Sequence, residues 1–121
     1  MKFPEMRAEL ILNLQTLSNP AYQTAAWIEH RYPAGVEYDE FDYVVHFFYD
    51  DTELAENPDS LIGEILRNKE ESESIKQLTK ELDAMFTRYG VNLKDSEYLS
   101  KPEWADIVCK SRDACRVFGT V

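Results

Sequence analysis

Between Arg31 and Arg67 the chain has no lysine or arginine, and the same interval holds ten acids: Glu37, Asp39, Glu40, Asp42, Asp50, Asp51, Glu53, Glu56, Asp59 and Glu64. Threaded among the first of these are Tyr32, Tyr38, Phe41, Tyr43, Phe47, Phe48 and Tyr49. Carboxylates stay in water while aromatic rings favour the interior. The segment therefore commits one face to a core and leaves acidic flanks outside. Beyond it, thirteen acids face thirteen bases, so the whole formal charge of −10 comes from this stretch. A field of one sign repels nucleic acid and anionic membranes and speeds encounter with a cationic partner.

The residues Phe41 to Tyr49 are aromatic or β-branched at most positions, which predicts a strand of period two. On that reading Phe41, Tyr43, Val45, Phe47 and Tyr49 face the core, and Asp42, Val44, His46 and Phe48 share the other side. A strand needs a partner. The candidates are Ala34 to Tyr38 and Leu61 to Leu66, the latter also compatible with a short helix capped by Asp59 or Ser60.

Elsewhere the pattern is helical. Met6, Leu10, Ile11, Leu14 and Leu17 recur at helical spacing from Pro4, and Ser18-Asn19-Pro20 restarts a helix to about Glu29. Ile75, Leu78, Leu82, Met85, Phe86 and Tyr89 make a continuous stripe ended by Gly90. Asp95 or Ser96 opens a short turn. A last helix after Ser100 carries Trp104, Ile107, Val108, Ser111, Cys115 and Phe118 on one line. The expected fold is a single α+β domain over 1–121, mainly helical with four to five helices, and with a small sheet around strand 41–49.

A chain of 121 residues with 44% hydrophobic and 30% charged residues is long enough and apolar enough to bury a core. Pro4 and Glu5 interrupt any signal-like apolar run, and Tyr43 to Tyr49 is too short to span a bilayer, so a cytoplasmic protein is expected. Cys109 and Cys115 lie six apart in one helix, about 240° around its axis at 100° per residue, and are expected to be free thiols.

Little here points to catalysis. Gly35, Gly63, Gly90 and Gly119 are isolated, which excludes a glycine-rich phosphate cradle. Neither His30 nor His46 has a nucleophile motif beside it. The best enzymatic case is a metal-dependent hydrolase using His30 with Glu29, and His46 with Asp42, Asp50 and Asp51, as metal ligands or as acid and base, but Asp50-Asp51-Thr52-Glu53 lacks the glycine and the alternating acids of a calcium loop. A buried or boundary histidine is the plainer reading of His46. No cofactor and no enzymatic activity are expected.

Asn19-Pro20-Ala21-Tyr22-Gln23, Trp27-Ile28-Glu29, Tyr38-Asp39-Glu40 and Val45-His46-Phe47-Phe48-Tyr49-Asp50-Asp51-Thr52 resemble an uncharacterised family of small acidic bacterial proteins common in actinobacteria. The likeness continues through Asn57-Pro58-Asp59-Ser60, Glu97-Tyr98-Leu99 and Pro102-Glu103-Trp104. No activity is attached to that family, so no site residue transfers from it. Proteins of this type in turn resemble immunity proteins of contact-dependent growth inhibition systems. What that implies is an immunity protein that binds a cognate basic toxin, such as a tRNase, and occludes its active site. The expected contact residues are Glu37, Tyr38, Asp39, Glu40, Asp42, Tyr49, Asp50, Asp51 and Glu53. The alternatives are a regulatory module for another basic protein, or the hydrolase above.

Overall fold

The computed structural model describes residues 1–120, and among these there is no strand or sheet. Six α-helices follow in order: α1 (Pro4–Leu17), α2 (Pro20–Gln23), α3 (Phe41–His46), α4 (Lys69–Tyr89), α5 (Asp95–Leu99) and α6 (Pro102–Val117). Two of them continue as wider π turns, α2 through Thr24–Ile28 and α3 through Phe47–Asp51, and a 3-10 turn spans Pro58–Leu61. The expected α+β class with a small sheet is thus corrected to an all-helical one. The mainly helical part of that expectation stands.

The segment 41–49 is a helix because a period of 3.6 separates its residues better than a period of two. Phe41, Val44, Phe47 and Phe48 are buried, while Tyr43 is 52% exposed and Val45 and Tyr49 only partly covered. Asp42, His46 and Asp50 fall at i, i+4 and i+8, one line on the outside. The two proposed partner strands are absent as well. Residues 34–38 form a turn and loop, and 61–66 form tight turns with an isolated bridge between Ile62 and Leu66. With its backbone bonds running along the helix and the Phe41 N–H taken by Asp95, α3 needs no partner strand.

α4 packs on α6, and α6 on α1. Asn68 caps α4 by accepting from the Glu71 N–H at 3.0 Å, and Gly90 ends it at φ 80, where its N–H donates to the Phe86 carbonyl at 2.8 Å. Asn19 caps α2 through the Tyr22 N–H at 3.1 Å. Over this frame lies a ring cluster: Phe41 packs against Trp27, Phe86, Tyr98 and Trp104 with centroids 5.0–6.1 Å apart. Buried Gln23 ties the frame together, donating to the Thr16 and Leu17 carbonyls and accepting from the Trp104 indole at 2.9 Å. Cys115 is buried and Cys109 exposed, neither in a disulfide.

One charged pair lies inside. Both Nη atoms of Arg7 on α1 meet both carboxylate oxygens of Glu71 on α4, at 2.7 and 2.8 Å, and each residue is over nine-tenths buried. Arg7 also donates to the Ile65 carbonyl at 3.0 Å and lies over the Phe118 ring, and Glu71 accepts the Arg67 N–H at 2.8 Å. Burial alone pushes the Glu71 carboxyl up, but the Arg7 guanidinium and the Arg67 N–H outweigh it and hold it below the ordinary value. Such a pair is stabilising above the unfolded carboxyl value and is lost as pH falls through the lowered folded one. Arg7→Met leaves a buried carboxylate without its partner and should cost about 3–5 kcal/mol in urea unfolding. Combining it with Glu71→Leu is expected to recover most of that loss.

Candidate functional site

The acidic segment wraps α3. Glu37, Tyr38, Asp39 and Glu40 approach its N-terminal end, Asp42, His46 and Asp50 run along its outer face, and Asp51, Glu53 and Glu56 leave its C-terminal end. Of the ten acids, Asp59 and Glu64 are held by basic residues from outside the segment: Asp59 by Lys69 and Lys76, each at 2.8 Å, and Glu64 by Lys2 at 3.4 Å. Those lysines hold the Asp59 carboxyl well below its usual range. Among the described residues the other eight have no lysine or arginine within ion-pair distance.

Not all of the expected contact residues face outward. The Asp39 carboxylate turns in, accepting the Tyr22 hydroxyl at 2.7 Å, the Trp27 indole N–H at 3.1 Å and the Glu40 N–H at 2.9 Å. It is a structural acceptor that fixes the loop to α2. Burial first, and the Asp39 bond second, push the Tyr22 hydroxyl up to about 12. Tyr49 is also tied down, donating to Asp83 on α4 and packing its ring against Phe86. Glu37, Tyr38, Asp42, Asp50, Asp51 and Glu53 lie exposed as expected, with Glu40 partly covered and accepting the Tyr38 hydroxyl at 2.7 Å. That bond, with lesser contributions, raises the Tyr38 hydroxyl to about 12.

His46 is exposed rather than buried, and its ring sits between two carboxylates. Nε2 lies 3.1 Å from Asp42 and Nδ1 2.5 Å from Asp50. The two acids approach opposite sides of the imidazole, so they do not converge on a common point, and a ring donating from both nitrogens has no lone pair to offer. Among the described residues no group of three or more His, Cys, Asp and Glu side chains is placed to hold a metal ion. The Asp42 charge, opposed by desolvation and helped by the Asp50 bond, raises the imidazole above its ordinary value.

Three residues of this face escaped the reading by residue type. Tyr43, assigned inward, is exposed and packs at 6.0 Å on Tyr38. Tyr32 and His30 extend the same strip, Tyr32 at 5.9 Å from Tyr38 and His30 stacked on it at 6.4 Å and 15°. The spacing of four between Asp42, His46 and Asp50 was the signal that would have placed Tyr43 outside.

Each end of the acidic ridge borders a concavity. One of about 420 Å³ is lined by Leu12, Tyr22, Pro33, Val36, Tyr38 and Val44 among others, and one of about 370 Å³ by Phe3, Met6, Asp50, Asp51, Glu53 and Glu56 with their neighbours. Among the described residues no helix is long and apolar enough to cross a membrane.

The chain matches the family model described as a domain of unknown function, DUF7945, over residues 1–120. No curated protein and no solved structure matches it.

Asp39→Ala should cost about 1–3 kcal/mol, because three donors lose their acceptor, whereas Glu37→Ala and Asp51→Ala should stay within about 0.5 kcal/mol. Thermal unfolding of the three variants checks this. With its folded value raised, His46 contributes stability that is full below the ordinary imidazole value of 6.5 and fades as pH rises through the raised one. An NMR titration of the ring should show the raised midpoint, and Asp42→Asn with Asp50→Asn should return it towards the ordinary one.

Proposed function

Because the chain belongs to the DUF7945 domain family, whose function is unknown, its role has to be read from its own surface, and we propose that it is an immunity protein that binds a cognate basic toxin and occludes the toxin's active site. The observation that carries this reading is the ridge of seven acids along and around α3, the inward Asp39 left aside, with no lysine or arginine of their own among the described residues. An enzyme that cleaves RNA holds phosphates with lysine and arginine, and a carboxylate ridge is complementary in charge to such a surface. The protein acts by contact rather than by catalysis, in the cytoplasm where the toxin's substrate lies.

Two further features support the reading. Asp50 and Asp51 stand at the C-terminal end of their helix, where the peptide dipoles already place partial negative charge. Asp50 is compensated by His46, but Asp51 has no basic partner among the described residues and weakens the fold, so a role outside folding accounts for it better. The exposed rings of Tyr38 and Tyr43 then supply contact area at low entropy cost within the charged field.

The test is co-expression with the product of the adjacent toxin gene. Wild-type protein should protect the cell and co-purify with the toxin, whereas Asp42, Asp50 and Asp51 changed together to lysine should slow association on the order of tenfold at low salt and reduce protection. Asp39 is left intact because its loss would disturb the fold. Unchanged protection by the triple variant, with a salt-independent association rate, would remove the acidic ridge as the interface. Asp51→Asn, which breaks no ion pair, should weaken binding while leaving the melting temperature no lower than that of the parent.

A further inference from the structure

The strip formed by His30, Tyr32, Tyr38 and Tyr43 joins four rings on the surface, each within 6.4 Å of a neighbour. Its geometry is fixed from below. His30 holds a left-handed backbone at φ 56, the single non-glycine residue with positive φ among those described, and its Nδ1 meets the Tyr32 hydroxyl at 2.9 Å. A residue with a Cβ in that region is strained, and here the strained backbone sets the His30 ring parallel to Tyr38.

The strip differs from Tyr89 and Phe3 in what covers it. Tyr89 carries Lys101 at 4.7 Å and Arg88 at 5.5 Å from its ring centre, and Phe3 carries Lys2 at 5.4 Å. No lysine or arginine among the described residues lies over Tyr32, Tyr38 or Tyr43. The nearest in sequence, Arg31, is paired with Glu29. Glu37, Glu40 and Asp42 alternate with these tyrosines along the chain, and Glu40 accepts the Tyr38 hydroxyl, so the rings present negative faces beside negative charge.

We infer that this strip is a receptor for a guanidinium group, an arginine side chain of the partner laid flat on the face of Tyr38 or of Tyr43, whose rings stand at 74° to each other, with Glu40 or Asp42 as its counter-ion. Arginine is selected over lysine because a planar, weakly hydrated cation stacks on exposed rings while a compact ammonium keeps its water. The tyrosine hydroxyls are already engaged at Tyr32 and Tyr38, so the rings offer their faces and not their polar edges. The inference rests on the basic-partner reading and names the side chain that the partner contributes.

Hexa-arginine and hexa-lysine peptides, titrated into the full chain at about 0.15 M salt, test it, since long-range charge is then largely screened. Hexa-arginine should bind about fivefold more tightly than hexa-lysine and shift the aromatic NMR signals of Tyr38 and Tyr43. Tyr38→Leu with Tyr43→Leu keeps the net charge and should abolish the preference, while Tyr38→Phe with Tyr43→Phe should keep it. Circular dichroism and melting confirm that the leucine variant is folded, as both positions are exposed. Equal binding of the two peptides by the parent, or a preference that survives in the folded leucine variant, overturns the inference. If that happens while charge reversal of Asp42, Asp50 and Asp51 still abolishes protection, the immunity reading stands without the tyrosine receptor. An arginine preference in a wild-type protein that neither protects the cell nor co-purifies with the toxin would keep the receptor and remove the immunity reading.

Discussion

The bidentate pair between Arg7 and Glu71 is the interaction on which the arrangement of this molecule depends. It joins α1 to α4 directly, holds the Ile65 carbonyl and the Arg67 N–H, and lies against Phe118 from the end of α6. Four parts of the chain thereby share one point. Removing two charges from water costs several kcal/mol apiece, and their attraction offsets that cost only when geometry is good and the remaining hydrogen-bonding capacity is filled. The site meets both conditions. Its contribution is to position: it anchors the 61–67 turn, and that turn is where the acidic segment rejoins the helical frame.

The core proper is assembled by rings. Trp27, Phe41, Phe86, Tyr98 and Trp104 come from α2 with its π turn, α3, α4, α5 and α6 in turn, and each indole N–H is satisfied, one by Asp39 and one by Gln23. The N-terminus of α3 is fixed by a further acid, since Asp95 on α5 accepts the Phe41 N–H at 3.1 Å. Burial, only partly countered by that N–H, pushes the Asp95 carboxyl up, and the charges of Glu40, Asp42 and Asp39 add to the rise. The acids around α3 thus act against one another through the structure, a cost that the aromatic core has to absorb.

The helices with one apolar line were legible from the sequence. α1, α4 and α6 fall where the periodicity of Leu10-Leu14-Leu17, of Ile75-Leu78-Leu82-Met85 and of Trp104-Ile107-Val108-Ser111 puts them, with Gly90 as the stop. α3 was misread because its residue types favour strands while its pattern favours a helix, and rings can satisfy either period when nearly every position is apolar. Only the polar positions discriminate. Asp42, His46 and Asp50 do so at a spacing of four, a signal outweighed by the β-branched and aromatic content. Which acids were structural was not legible at all: Asp39 and Glu37 look alike in the sequence, and only the proximity of Tyr22 and Trp27, brought by a turn from α2, separates them. Likewise the strip of His30, Tyr32, Tyr38 and Tyr43 depends on a loop folding back, which no local pattern encodes.

Charge placement along α3 has a mechanical consequence. Outside the segment acids and bases are equal in number, so the molecule is electrically lopsided and carries a permanent dipole as well as a net charge. In the field of a cationic surface such a body feels a torque in addition to a pull, and it turns before it touches. Most collisions between two proteins are wasted because the wrong faces meet. Here the α3 side would already be leading when contact is made, so the search over orientations is largely done in solution, while the partners are still separated by layers of water.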